Sequence, residues 1–231
     1  MAKTLHIVVP TKIITKKNAN DYLTSDLVIP DAIEEISMEA FLRKSQLCTL
    51  KLSNNVTSIG ARAFKDCLHL KSLILPDSLK SLGVEVFSGC KELKEVVFPS
   101  GITHVPAKAF YRCRALETLT LPEGIQKIEK EAFYFCNLSK LELPDTLKSI
   151  EERAFFRCNQ LTEVTIPAQV KYLGSNAFHG CNRLKYIKIL GAPDFIGESL
   201  VNKPVIIQCI KGSKVDDYCK QYGYTAEYID I

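Results

Sequence analysis

Residues 138–158 read Leu138-Ser139-Lys140-Leu141-Glu142-Leu143-Pro144-Asp145-Thr146-Leu147-Lys148-Ser149-Ile150-Glu151-Glu152-Arg153-Ala154-Phe155-Phe156-Arg157-Cys158. Leu141 and Leu143 alternate with Glu142, the period of a short strand whose leucines share one side. Pro144 follows, and its fixed φ and missing N–H stop the strand and turn the chain. Leu147 and Ile150 form a second apolar pair that crosses the opposite side. Ala154-Phe155-x-x-Cys158 then reads as a tight helical turn returning to the next strand. Residues 70–90 repeat the order with Leu70, Leu73, Leu75, Pro76, Leu79, Leu82, Phe87 and Cys90.

Searching outward for self-similarity shows the period. Phe41, Phe64, Phe87, Phe110, Phe133, Phe155 and Phe178 are spaced by 23 residues, except for one spacing of 22 between Phe133 and Phe155. Each follows an alanine, with Val86 the exception, and from the second copy onward a cysteine comes three residues later. The missing residue lies after Cys136, in what is expected to be a loop, where deletions are tolerated. One unit cannot bury its own leucines. Copies stacked at the ~4.8 Å strand spacing make a continuous core and a parallel sheet along one face, so the expected fold is an α/β repeat solenoid.

The unit L-x-x-L-x-L-P-x-x-L-x-x-I-x-x-x-A-F-x-x-C closely resembles the BspA-like (bacterial surface antigen) class of leucine-rich repeats. The resemblance implies a right-handed horseshoe with the parallel sheet on its concave face and short helical or irregular segments opposite. It also implies a non-enzymatic interaction protein; many relatives are cell-surface or secreted adhesins. The expected organisation is a single solenoid domain over residues 1–231. Residues 1–23 form an N-terminal cap, with Leu5, Ile7 and Val9 as a strand or hairpin and a polar turn at 16–21. Residues 24–183 hold seven repeats. Residues 184–231 hold a degenerate repeat and a strand–helix–strand cap. In that cap Ser213 and Asp216 form a capping-box variant, Val215, Tyr218, Cys219 and Tyr222 mark the buried helix face, and Gly223 is the stop.

Composition narrows the function classes. Apolar residues make up 46% and charged residues 24%, which excludes wholesale disorder. No apolar run approaches the ~18 residues of a membrane span. The net charge of +4 calls for no nucleic-acid partner, and none is expected. The opening decapeptide is too short in apolar length for a secretory leader. The expected compartment is therefore cytoplasmic as written, or cell surface or secreted if a leader was removed.

Nine cysteines are present. Six of them, Cys67, Cys90, Cys113, Cys136, Cys158 and Cys181, occupy one repeat position and are expected to form a buried structural ladder of apolar thiols. Cys48, Cys209 and Cys219 lie off it, with Cys48 the most exposed. No C-x-x-C pair, nucleophile motif or phosphate loop occurs, and the four histidines fall at different repeat positions, so no catalytic residue, metal or cofactor is expected.

Two surfaces are candidates for binding. Outward strand positions on the concave face include Ile74, Glu95, Val97, Thr118, Thr120, Lys140 and Glu142. The positions just after each Phe gather Tyr111, Arg112, Tyr134, Phe135, Phe156 and Arg157 along one edge, the composition of interface hot spots. The competing reading of this edge is stacking of half-buried rings between coils with arginines laid over them. The function expected is recognition of a protein or peptide partner by the repeat surface, from a chain expected to be monomeric. The alternative is an adhesin binding extracellular protein or glycan.

Overall fold

The computed structural model describes residues 12–230. The N-terminal strand expected at Leu5–Val9 lies outside them. Every strand pairing in the described chain is parallel, as stacking one coil on the next requires. The strands Asp26–Val28, Thr49–Lys51, Ser72–Ile74, Glu95–Val97, Thr118–Thr120, Glu163–Ile166, Tyr186–Ile189 and Ile206–Cys209 follow one another along the first face. Two further parallel sheets of two-residue strands, one from Ile13–Ile14 to Ser81–Leu82 and one from His104–Val105 to Phe195–Ile196, run along another side. Their members include the second apolar pair of each repeat, such as Ile59, Ile128 and Ile150. The proline between the two faces begins a tight turn, its carbonyl accepting the N–H three residues on at Pro30, Pro76, Pro99, Pro122, Pro144 and Pro167.

The third side is not helical. The residue before each Ala-Phe (or Val86-Phe87) pair and the residue two after the Phe have positive φ, at non-glycine positions between 55° and 63°. Left-handed φ costs an L-residue about 1–2 kcal/mol. Here it turns alternate N–H groups toward the next coil: Glu39, Phe41 and Arg43 donate to the carbonyls of Ala61, Ala63 and Lys65 at 3.0, 2.8 and 2.8 Å. The pattern recurs in full through Arg153, Phe155 and Arg157, and its first two bonds recur at Asn176 and Phe178. The expected helical turn is thus a third ladder of hydrogen bonds, whose geometry an α-helix could not supply.

The core consists of columns. All seven repeat phenylalanines are fully buried, and neighbours stack with centroids 5.1–5.6 Å apart and planes within 18°. The six repeat cysteines are buried beside them. The carbonyl of Phe64 accepts the backbone N–H of Cys67 at 3.3 Å and the thiol of Cys90, one coil on, at 3.3 Å. The same double acceptance is made at Phe87, Phe110, Phe133 and Phe155. Cysteine fits this position because it is small and apolar yet carries a donor for the carbonyl's second lone pair.

The 22-residue spacing has a structural consequence that a loop deletion would not. The shortened path from Cys136 to Leu138 ends in a face segment, Lys140–Leu143, that forms no strand and makes no backbone–backbone hydrogen bond. The first-face sheet is interrupted there, between Thr118–Thr120 and Glu163–Ile166; it also breaks between Ser72–Ile74 and Glu95–Val97, but with both strands kept. The expectation of a harmless loop deletion is corrected on this point: the lost residue removes a strand.

At the far end the strand Ile206–Cys209, the helix Lys214–Tyr222 and the strand Thr225–Tyr228 close the stack. Ser213 accepts the Asp216 N–H at the helix start, and Gly223, with φ 65°, ends it. Tyr218 ties the helix to the last coil, its hydroxyl donating to the Gly197 carbonyl at 3.0 Å and accepting the Leu200 N–H at 3.2 Å.

Candidate interaction surfaces

Turn residues after each Phe point away from the core, and the successive coils bring them into register. Tyr111, Tyr134, Phe156 and His179 form a continuous stack with centroid spacings of 4.7, 5.0 and 5.8 Å. Phe135 lies tilted beside Tyr134. Over these rings lie arginines: Arg112 is 5.2 Å from the Tyr111 centroid, Arg114 is 5.2 Å from that of Phe135, and Arg157 is 5.6 Å from both Phe135 and Phe156. The rings are half-buried, and Arg112 and Arg157 are exposed.

These arginines differ from most basic groups of the same coils. Lys108 and Arg153 both meet Glu131, Lys127 meets Glu151, and Lys130 meets Glu152. Glu151 and Glu129 also accept the backbone N–H groups of Lys130 and Ala107. Among the described residues no carboxylate pairs with Arg112, Arg114 or Arg157. Glu129, Glu131, Glu151 and Glu152 are therefore engaged elsewhere, and the edge keeps unneutralised guanidinium groups over aromatic faces. The row of stacked rings is the inter-coil packing that the competing reading described, and it also presents the arginines.

On the sheet face Ile74 and Val97 are 70% and 47% exposed, with Val28 of the same column 61% exposed. Glu95 and Val97 are in register with Thr118 and Thr120 on the neighbouring strand. Lys140 and Glu142 stand apart from this ladder on the strandless segment and pair with each other at 2.5 Å, a contact that raises the lysine pKa and lowers that of the glutamate. Beside them the interrupted sheet leaves an open groove of about 880 Å³ lined by Lys140, Glu142, Glu163, Thr165, Tyr186 and Lys188.

Burial pushes the thiols of Cys67, Cys113 and Cys181 up to about 12, and those of Cys90, Cys136 and Cys158 well above the usual range. Of the nine free cysteines only Cys48 is not buried; it sits just before its strand and donates to the Gln46 carbonyl. Among the described residues no three His, Cys, Asp or Glu side chains converge as a metal site would need.

Two features escaped the reading of the sequence. Tyr172 and Phe195 stack at 4.9 Å on the second face, 41% and 47% exposed. Aligning the second apolar pairs would have placed them in one outward column with Glu35, Ser58, Ser81 and Lys127. A polar cavity formed by Asn159, His179 and their neighbours was also missed, because its residues come from three different repeat columns.

A family model described as BspA type leucine rich repeat region matches residues 11–129 and 82–208, with six copies. Among solved structures, a leucine rich cell surface protein from Faecalibacterium prausnitzii is 21% identical, with a TM-score of 0.63 over 96% of this chain and 84% of that one. A leucine-rich repeat protein from Eubacterium ventriosum is 26% identical with a TM-score of 0.62; the match covers 71% of this chain but 45% of that one. The pneumococcal vaccine antigen PcpA is 21% identical, with a TM-score of 0.54 over 89% and 68% of the two chains. No curated protein matches the chain in sequence.

Proposed function

The chain belongs to the family of BspA-type leucine-rich-repeat proteins, and from that premise we propose that it is a non-enzymatic module that binds a protein or peptide partner on its repeat surface. The observation that carries this reading is the edge at Tyr111, Arg112, Tyr134, Phe135, Phe156 and Arg157. Rings that are already stacked lose little freedom on binding, and tyrosine and arginine are enriched among the residues that dominate interface energetics. Unneutralised guanidinium groups call for carboxylates, so the partner presents an acidic segment.

A second docking reading is favoured by the exposure of Ile74 and Val97 on the sheet face, which would accept an apolar partner across Thr118 and Thr120. The domain reading stays as a single solenoid of caps at 1–23 and 184–231 around repeats at 24–183. The neighbouring cell-surface protein and vaccine antigen support, as an alternative setting, an adhesin that meets its partner outside the cell.

The test is affinity capture from cell lysate and from matrix proteins, followed by reconstitution with the purified captured protein. The edge variant Arg112→Glu with Arg157→Glu is expected to lose that protein and the face variant Ile74→Asp with Val97→Asp to keep it. Retention by the edge variant and loss by the face variant would move the site to the sheet. Retention by both, with the fold intact, would remove both surfaces from consideration.

A further inference from the structure

The thiols of the chain divide by what they donate to. Cys48 donates to the Gln46 carbonyl, and each of the six ladder cysteines donates to the carbonyl of the phenylalanine one coil back. Each ladder sulfur is thereby held on its own acceptor, apart from its neighbours. Among the described residues Cys209 and Cys219 have no carbonyl acceptor. They meet each other instead, with Cys219 the donor to the Cys209 sulfur.

The two belong to different elements of the closing cap. Cys209 ends the strand Ile206–Cys209 and faces inward with Ile207, and Cys219 lies with Val215 and Tyr218 on the buried face of the helix Lys214–Tyr222. That helix packs on that strand, and both cysteines are buried. The inward column that ends here runs Leu75, Phe98, Leu121, Leu143, Ile166 and Ile189, all large, and then Cys209. A small residue replaces a large one only where the helix crosses the strand, and the helix residue that meets it is the other cysteine. The chain between them is short, turning through Gly212 at φ 75° and the Ser213 cap.

We propose that Cys209 and Cys219 are a redox pair that closes to a disulfide and staples the cap helix to the last coil. Closure is a two-electron oxidation, and the oxidant it needs is a small-molecule disulfide such as oxidised glutathione. One cysteine, as thiolate, attacks a sulfur of the oxidant and expels a thiolate. The second attacks the resulting mixed disulfide, forms the protein S–S bond and expels the other. The two thiol protons pass to the two released thiolates, so one disulfide and two thiols stand on each side of the reaction. Burial raises the Cys209 thiol and pushes that of Cys219 up to about 12, so the closed cap reacts slowly. Exchange therefore runs through the open cap, before the helix docks on the last coil. No cation outweighs burial at either sulfur, so the reduced pair lacks the thiolate stabilisation that makes a disulfide strongly oxidising. The staple suits an oxidising setting. It lies away from the docking edge, and its failure leaves that reading standing.

The test equilibrates the full chain in glutathione buffers of stepped oxidant ratio, quenches by alkylation and digests with trypsin without reduction. The expected product is peptide 189–211 joined to peptide 215–220, two hydrogens lighter than the free thiol peptides together. The pair is expected to close at an oxidant ratio at least about tenfold lower in the native chain than in urea, because a bond that the fold favours stabilises the fold equally. The amides of Thr225–Tyr228, which pair only with Ile206–Cys209, are expected to exchange with deuterium about tenfold or more slowly in the oxidised chain than in the reduced one. Cys209→Ser and Cys219→Ser are each expected to abolish that difference. The oxidised and reduced forms of the unaltered chain are compared directly, so the test does not depend on either variant folding. Four results would overturn the proposal: no joined peptides from the native chain at any ratio, closure no easier in the native chain than in urea, closure that leaves the exchange of Thr225–Tyr228 unchanged, or joining of either cysteine to Cys48 or a ladder cysteine instead.

Discussion

The phenylalanine column predicts a pattern of energetic coupling along the stack. Phe133 lies between Phe110, at 5.6 Å and 5°, and Phe155, at 5.3 Å and 10°, whereas Phe41 has the single ring neighbour Phe64 at 5.1 Å among the described residues. A stacked pair contributes ~0.5–1.5 kcal/mol beyond the area it buries, so Phe133→Leu forfeits ~1–3 kcal/mol and Phe41→Leu about half of that. To each is added the repacking cost of a swap of similar volume, usually below ~1.5 kcal/mol. A double-mutant cycle isolates the stacking. Phe110→Leu with Phe133→Leu is expected to couple by ~0.5–1.5 kcal/mol. Phe64→Leu with Phe133→Leu, three coils apart and therefore about 14 Å at ~4.8 Å per coil, is expected to be additive within ~0.3–0.5 kcal/mol. Urea unfolding followed by far-ultraviolet circular dichroism measures both cycles. Equal coupling in the near and far pairs would refute nearest-neighbour stacking as the source of the column's stability, and additivity in both would show that the rings contribute only by burial.

Other expectations rest on single features. Buried thiols with raised pKa react slowly because the thiolate is the nucleophile, so at pH 8 a disulfide reagent is expected to titrate Cys48 rapidly and all nine cysteines only after denaturation; rapid labelling of several thiols in the native protein would contradict the ladder. The amides of Lys140–Leu143 are expected to exchange with deuterium much faster than those of Thr118–Thr120, and one residue inserted after Asn137 is expected to protect them. Equal protection in the unaltered chain would contradict the interrupted sheet. Asp216 is held below the ordinary carboxylate range first by the Lys220 ammonium at 2.9 Å, then by the Gly212 N–H at 2.8 Å. A folded-state pKa that is lowered contributes stability at neutral pH that is lost as pH falls below about 4. Asp216→Asn is therefore expected to lower the thermal midpoint at pH 7 and to shrink its drop between pH 7 and pH 3; an unchanged drop would rule out this carboxylate as a contributor to acid unfolding.

The apolar frame was legible because a solenoid repeats one packing problem, so Leu73, Pro76, Phe87 and Cys90 each recur with the same neighbours and sequence spacing becomes spatial register. The left-handed turns were hidden because residues such as Glu39, Arg62 and Lys108 occupy them, and none signals positive φ. The signal was in the column instead, where Gly89 and Gly180 share a position with Arg43, Arg112 and Arg157. The lost strand at Lys140–Leu143 was illegible for a different reason: its Leu-Glu-Leu alternation is intact, and only the path length from Cys136 denies it a ladder. The stacked edge followed from column alignment, but the isolation of its arginines depends on which carboxylates Lys108, Lys127, Lys130 and Arg153 engage. Spacing within one column does not reveal such pairings between columns.

Docking of a protein partner on the aromatic–arginine edge is the proposal that most needs measuring. Its most direct measurement is site-specific photo-crosslinking of a captured partner from probes placed at Tyr134 on the edge and at Val97 on the sheet face, at low and high salt. The account predicts crosslinks from Tyr134 that map to an acidic segment of the partner and fade as salt rises, with none from Val97. Crosslinks from Val97 alone, or a Tyr134 crosslink indifferent to salt and mapping to an uncharged segment, would contradict it.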